Sequence, residues 1–218
     1  PIDRKYSQIA RHISITCALF LSVIAGCIVS PAEPPASQPT TQSARIDLQP
    51  NMKIRRTYPP LKDWQGQLMT YHVNLPPDYH SDRTYPIIFE WPGKGGGPDT
   101  YLFPGVYKVT GHIHVGLAYP LGCREGTPML YATPKYVQFI RHVYDDVVQH
   151  FNGNPDYVFI GGFSAGGFTA AGPGISLMIR AQLRDKLAGV LAGGCNWMCN
   201  PKYAKGVNIF LWYADNDP

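Results

Sequence analysis

The sequence GFSAG at residues 162–166 places a serine between two glycines, directly after the apolar run 157–162. A nucleophilic serine must stand at the tip of a sharp strand-to-helix turn, where its hydroxyl is exposed and its backbone is strained. The strand and the helix then pass so close together that the positions two before and two after the serine have little room for side chains. Glycine at both positions therefore predicts Ser164 as a nucleophile. A Gly/Ser-rich loop that matches the pattern by chance is the alternative, which the preceding strand and the following Gly167 disfavour.

Acyl transfer by a serine also needs hydrogen-bond donors for the oxyanion of the intermediate. One donor is expected to be the backbone N–H of Ala165, the residue after the nucleophile. The other is expected from the glycine-rich loop WPGKGGG at residues 91–97. Pro92 has no N–H, so Gly93 or Lys94 must donate, and Lys94 is the preferred candidate. The loop could instead bind phosphate, but it lacks the GxxxxGK[ST] pattern and no helix start follows it directly.

Short apolar strands alternate with helical segments through the part of the chain that must position these residues. Strands are predicted at 68–75, 85–91, 112–119, 157–162, 187–192 and 207–213. Helices are predicted from 133 or 134 to about 151, from about 165 to a break at Pro173, and over about 175–186. This alternation predicts an α/β fold in which a mainly parallel sheet is flanked by helices in three layers.

The chain divides by composition into three predicted segments. Residues 1–27 place basic residues before a short apolar run, which is typical of a secretory signal. The run ends in IAGC, which resembles the bacterial lipoprotein box and predicts lipidation of Cys27; a plain signal peptide and an uncleaved anchor are the alternatives. Residues 28–51 are rich in Pro, Ser and Thr and predict an extended linker. Residues 52–218 form the folded domain, so we expect an exported protein, either a cell-envelope lipoprotein on the membrane face or a secreted one.

Composition and spacing disfavour several other kinds of site. The net charge of +4 is too small to predict nucleic-acid binding. Cys195 and Cys199 could form a disulfide after export, which would leave Cys123 unpaired. No histidine follows Cys199, and His112 and His114 share a strand face without a third ligand nearby. We therefore expect no metal and no cofactor.

The serine motif and the segments before it resemble the α/β-hydrolase superfamily. More narrowly, VNLPPDY at 73–79 and YPIIFEWPGKGG at 85–96 are similar to the start of the catalytic domain in polyhydroxybutyrate-depolymerase-like, feruloyl-esterase-like and acetyl-xylan-esterase-like exported enzymes. Pro92 stands where those enzymes usually have histidine. The resemblance covers about residues 68–217 and implies hydrolysis of carboxylic esters through an acyl-serine intermediate.

In α/β-hydrolases the acid and then the histidine base follow the serine along the chain. Asp217 stands after strand 207–213 and is the preferred acid, with Asp215 as its rival; a polar turn at the strand end is the alternative. All seven histidines of the chain precede Ser164. The resemblance therefore implies that the catalytic histidine lies beyond residue 218, and that the fold is incomplete at its C-terminus, without its last strand and helix.

These residues together predict an exported serine esterase. Ser164 attacks the ester carbonyl, Ala165 and Lys94 bind the oxyanion, and Asp217 orients the histidine. The alternatives are a serine peptidase of the prolyl-oligopeptidase type, an acyltransferase, and a non-catalytic binding module tethered to the cell surface.

The substrate is expected to be a small-molecule ester or an ester linked to a polysaccharide or polyester, with its acyl and alcohol groups left open. Tyr101, Phe103 and Trp197 could form an aromatic platform for an acyl group or a sugar, although core packing is their commoner use.

Overall fold

Seven strands form one mixed sheet in the computed structural model, which describes residues 47–100, 102–103, 110–123, 133–195 and 201–213. The strands are β1 (Lys53–Lys62), β2 (Leu68–Asn74), β3 (Tyr85–Trp91), β4 (Ile113–Leu117), β5 (Gly153–Phe163), β6 (Leu187–Gly193) and β7 (Asn208–Trp212). Their order across the sheet is β1-β2-β4-β3-β5-β6-β7. β1 and β2 run antiparallel to their neighbours, and the five remaining strands pair in parallel. The predicted mainly parallel sheet with flanking helices is confirmed.

The α-helices of the described ranges are α1 (Pro134–His150), α2 (Ala165–Thr169), α3 (Ile175–Arg180) and α4 (Pro201–Ala204). α1 begins where the sequence predicts, because Pro134 fits the first helical position and the Thr133 hydroxyl accepts the Tyr136 N–H at 3.3 Å. It ends before Asn152, whose positive φ of 59° turns the chain into β5.

The core lies on the side of the sheet that faces α1. Trp91, at the end of β3, is fully buried there, as are Tyr136 and Phe139 of α1. The Trp91 indole N–H donates to the Tyr136 hydroxyl at 2.8 Å, and that hydroxyl donates to the Ala118 carbonyl at 2.9 Å. Both buried polar groups are thus satisfied, and the end of β3, where the glycine-rich loop begins, is held in place.

The predicted helix break at Pro173 is wrong. A π-helical turn, Ala170–Gly174, joins α2 to α3, and Thr169, Ala170 and Gly174 all keep right-handed helical angles. Proline removes one helical N–H and crowds the preceding turn, and the wider π turn accommodates both effects without ending the helix. The helix after Gly174 is also shorter than predicted, because it ends at Arg180 and a separate 3₁₀ turn covers Arg184–Lys186.

β1 is a strand that the sequence analysis did not predict. Its Arg56 forms an ion pair with the buried Asp146 of α1, and Tyr71 of β2 donates to the same carboxylate at 2.7 Å. The two antiparallel strands are therefore attached to α1 by polar contacts at a buried point.

The predictions for the signal segment and for Cys27 lie outside the described residues, as does most of the predicted linker. Within the described ranges, no helix combines the length and the apolar character needed to cross a bilayer.

Candidate active site

Ser164 lies at the junction between β5 and α2, as the sequence predicts. Its backbone has φ 54° and ψ −121°, a conformation that non-glycine residues rarely adopt. Strain of this kind costs of the order of 1–3 kcal/mol and persists only where the surrounding structure enforces it. The side chain is half-buried and makes no capping hydrogen bond to α2, so the hydroxyl is not used to stabilise the helix start.

The two glycines of the motif are required by backbone contacts. A Cβ atom on Gly162 would lie 2.5 Å from the carbonyl carbon of Gly166 and 2.7 Å from the Trp91 carbonyl oxygen. A Cβ atom on Gly166 would overlap the Trp91 carbonyl oxygen. Because all of these neighbours are backbone atoms, neither position can admit a side chain by a rotamer change.

Hydrogen bonds at the ends of the neighbouring strands hold the turn. The Ser164 N–H donates to the Gly193 carbonyl of β6 at 2.9 Å, and the Phe168 N–H donates to the Ser164 carbonyl at 2.9 Å. Gly194, directly after β6, donates to the Trp212 carbonyl of β7 at 2.9 Å. The carboxyl ends of β5, β6 and β7 therefore meet beside Ser164. Asp215 and Asp217 themselves lie outside the described residues.

The proposed oxyanion donors lie on two segments that face the same turn. Ala165 occupies the first position of α2, where a backbone N–H has no intrahelical acceptor. The loop after β3 lies against the turn, since a Cβ atom on Gly93 would be 3.6 Å from the Phe163 carbonyl oxygen. The next residue, Lys94, has an exposed side chain. The Gly96 N–H closes a tight turn onto the Gly93 carbonyl at 3.1 Å, in which Gly95 has a φ of 77°.

A buried carboxylate next to this loop was missed by sequence reasoning. Glu90, the penultimate residue of β3, accepts a hydrogen bond at 2.6 Å from Nε2 of His114 on β4, and both side chains are only 2% exposed. Asn74 of β2 lies 3.1 Å from Nδ1 of the same imidazole. The signal was a single acidic residue within an otherwise apolar strand, which is rare unless the charge is paired.

His112 is buried beside His114, with ring centroids 6.5 Å apart, and its Nε2 atom has no hydrogen-bond partner among the described residues. Burial and the neighbouring His114 lower the pKa of His112 to about 4. The two histidines share a strand face as predicted. The described residues contain no group of three or more His, Cys, Asp or Glu side chains arranged to hold a metal ion.

Aromatic rings cover the glycines at the strand ends near Ser164. Phe103, which is 4% exposed, packs on Gly161, and its ring lies 6.0 Å from that of Trp212. Phe103 is therefore a packing residue, while Tyr101 and Trp197 lie outside the described residues. Phe163 covers Gly194 and remains 37% exposed.

No disulfide joins the two described cysteines, Cys123 and Cys195, to each other. Burial raises the pKa of Cys123 to about 11, and burial also raises that of Cys195. The predicted partner of Cys195, Cys199, lies outside the described residues, so the disulfide between them stays a prediction.

No protein-family model matches this chain, and no curated protein is similar to it in sequence. Among solved structures, a thermostable esterase superposes with a TM-score of 0.52 at 17% identity, over 76% of this chain and 47% of that one. A feruloyl esterase module from Clostridium thermocellum complexed with sinapinate gives a TM-score of 0.52 at 13% identity, over 75% of this chain and 67% of that one. The chain thus spans about half the length of the thermostable esterase. These similarities and the strand order establish that the described part of the chain has the α/β-hydrolase fold that its sequence indicates.

Proposed function

We propose that this protein is an exported serine hydrolase that cleaves carboxylic esters through an acyl-serine intermediate. The observation that carries the proposal is the strained backbone of Ser164 between two glycines that admit no side chain, at a strand-to-helix junction of an α/β-hydrolase sheet. A strained serine whose hydroxyl takes no part in capping is the arrangement that a nucleophile needs.

The mechanism follows from this arrangement. Ser164 Oγ attacks the ester carbonyl carbon while a histidine takes its proton, and a tetrahedral intermediate forms. Backbone N–H groups of Ala165 and Lys94 bind the negatively charged oxygen. The intermediate then collapses, the histidine gives the proton to the departing alcohol, and water releases the acid from the acyl-serine in a second cycle. We assign the orientation of the histidine to Asp217, with Asp215 as its rival, and place the histidine itself after them in the chain.

Export and anchoring through a lipidated Cys27 complete the proposal. They would place the site outside the cytoplasm, on a linker of about twenty residues, where an ester carried by a polymer could reach it.

The proposal is tested with the full-length protein and a short-chain p-nitrophenyl ester. Ser164→Ala should abolish turnover and labelling by a fluorophosphonate probe, because both reactions need the same oxygen nucleophile. Ser176→Ala, in α3, is the matched control and should keep both activities. Turnover that survives Ser164→Ala would contradict the assignment of the nucleophile. A wild-type protein that neither turns over esters nor reacts with the probe would favour the non-catalytic binding module.

A further inference from the structure

The Glu90 carboxylate accepts hydrogen bonds from two directions. Besides His114, it accepts the Leu102 N–H at 2.6 Å and the Phe103 N–H at 3.4 Å. A carboxylate that is 2% exposed is costly to bury unless its oxygens are occupied, and here both oxygens accept hydrogen bonds. Glu90 is therefore the point at which β3 is joined both to β4 and to Leu102 and Phe103, which follow the glycine-rich loop in the chain.

The His114 imidazole is oriented by its two neighbours. The Asn74 amide nitrogen, 3.1 Å from Nδ1, donates a hydrogen bond and makes Nδ1 an acceptor. Nε2 then carries the proton and donates it to Glu90 at 2.6 Å. The carboxylate thus faces N–H donors from His114, Leu102 and Phe103, and only an acceptor with two free oxygens satisfies all three.

The loop between Glu90 and Leu102 carries Lys94, the proposed second oxyanion donor. At its start, the Tyr119 hydroxyl donates to the Pro92 carbonyl at 2.6 Å. Further along, Pro98 packs so closely on β4 that a Cβ atom on Gly116 would overlap its carbonyl oxygen. At its end, the Glu90 side chain holds Leu102, twelve residues along the chain. The loop contains no helix or strand in its described part, so these contacts and its own turns determine where its N–H groups point.

We propose that Glu90, supported by His114, is a positioning residue that closes the base of the glycine-rich loop and thereby aligns the Lys94 N–H with the oxyanion. This inference rests on the proposed function. In this inference, Glu90 and His114 stabilise the transition state in addition to stabilising the fold. An oxyanion donor must be placed to within a fraction of an ångström, and displacement by about 1 Å can cost up to roughly a hundred-fold in rate.

The test is Glu90→Gln in the full-length protein. Glutamine keeps the length and one acceptor oxygen, but it turns the other acceptor into an NH₂ group that faces N–H donors. We expect kcat for a p-nitrophenyl ester to fall about ten- to a hundred-fold, with KM changed by less than about two-fold, because only the transition state carries the oxyanion. The inhibition constant of a trifluoromethyl ketone, which forms an oxyanionic adduct with the serine, should rise in the same proportion.

Asp146→Asn supplies the matched control. Asp146 is also a buried carboxylate that accepts hydrogen bonds, but it lies on α1, and its partners in the described part of the chain are Arg56, Tyr71 and His150. This variant should lower the unfolding midpoint and leave kcat of the folded enzyme unchanged.

Substitutions of His114 test its support of Glu90. His114→Gln keeps an N–H that can donate to Glu90, so it should retain more of kcat than His114→Leu does.

Amide hydrogen exchange tests the role of Glu90 without a measurement of enzyme activity. Glu90→Gln should accelerate amide exchange over residues 93–103 and leave the amides of β5 as they are in the wild type. Wild-type kcat with only a lower unfolding midpoint would overturn the inference while the proposed function stands. If the wild type shows no esterase activity, the proposed function fails. In that case, amide exchange over residues 93–103 that is the same in Glu90→Gln as in the wild type would also overturn the role of Glu90 in closing the loop.

Discussion

Ser164 is held in its strained conformation by backbone atoms from three segments. Its N–H is bound by the Gly193 carbonyl, its carbonyl by the Phe168 N–H, and the Trp91 carbonyl fills the space beside Gly162 and Gly166. Side-chain packing plays little part in these contacts. The conformation of Ser164 therefore depends on the close approach of β3, β6 and α2 to the turn, and it should respond sharply to the addition of a single methyl group.

Gly166→Ala should destabilise the protein by about 3 kcal/mol or more, because the new methyl group can be accommodated only by moving the Trp91 backbone. Gly66→Ala is the control. Gly66 has a φ of 81° but open space around its Cβ position, so alanine there should cost only about 1 kcal/mol. Urea denaturation of both variants measures the difference. Equal losses of stability in the two variants would mean that the Trp91 backbone can move away from Gly166 at little cost.

His112 should make stability depend on pH between about 6.5 and 4. Its pKa is lowered to about 4 in the folded protein, so the unfolded chain binds a proton in this range that the folded protein does not. Stability therefore falls as the pH falls, by on the order of 2 kcal/mol at pH 5 relative to pH 7 from this group. His112→Phe should flatten that part of the profile, which urea midpoints at the two pH values would measure. An unchanged slope in the variant would contradict the assignment to His112.

A polar contact at Asp146 joins the helix α1 to the strands β1 and β2. Burial raises the pKa of Asp146, but hydrogen bonds from Arg56 and Tyr71 and the charge of Arg56 outweigh burial, so the net pKa is lowered. The ionised carboxylate is therefore the form that the fold stabilises. It fixes α1 against the antiparallel end of the sheet, on the far side of β4 and β3 from β6 and β7.

Asp146→Asn should destabilise the protein by about 1–3 kcal/mol at pH 7, since it weakens a charge-assisted contact and Arg56 is partly exposed to water. The contribution of the carboxylate is present above its unfolded pKa and is lost as the pH falls through its lowered folded pKa. The difference in the free energy of unfolding between variant and wild type should therefore become smaller below about pH 4. Chemical denaturation at pH 7 and pH 3 measures it. A gap that stays constant would show that the charge does not contribute.

At the scale of the whole molecule, the two ends of the sheet differ in how well they are covered. The β1 and β2 end packs against α1, whereas β7 is the last strand of the described sheet and exposes large apolar side chains. Phe210 is 60% exposed, Leu211 40% and Tyr213 71%. An apolar edge strand of this kind is a typical site of association between chains.

The 218-residue chain should therefore self-associate through β7. Phe210→Lys should shift it toward the monomer, because a charge at the edge opposes pairing between chains. Tyr157→Lys is the control, since it adds the same charge at a side chain that is 55% exposed on β5, away from the edge. Light scattering after gel filtration at two protein concentrations measures the effect. A wild-type chain that is monomeric at both concentrations would contradict the prediction.

Local pattern was enough to predict the parallel strands and the strand-to-helix junction at Ser164. β3 is predicted with its observed bounds, and β5, β6 and β7 are each recognised as short apolar runs. Ser164 and its glycines were also predictable, because the steric demand of a strand-to-helix turn acts over only five residues. β1 was missed because a basic residue, Arg56, occupies one of its half-buried positions and hides the alternation of its side chains. The helix break at Pro173 was predicted wrongly because proline usually ends a helix, and only the packing of the fold determines where a π turn accommodates it.

The amino-acid sequence by itself determined the sheet class, the sharp turn at Ser164 and the loop expected to face it, since these depend on side-chain periodicity and on which residues fit such a turn. Only the tertiary structure decided how that loop is held. Glu90, Leu102 and His114 are separated by up to 24 positions along the chain, and no local pattern links them. They meet because β3 and β4 pair in parallel and bury the carboxylate, and a buried charge must take its partners from whatever the fold brings within hydrogen-bonding distance.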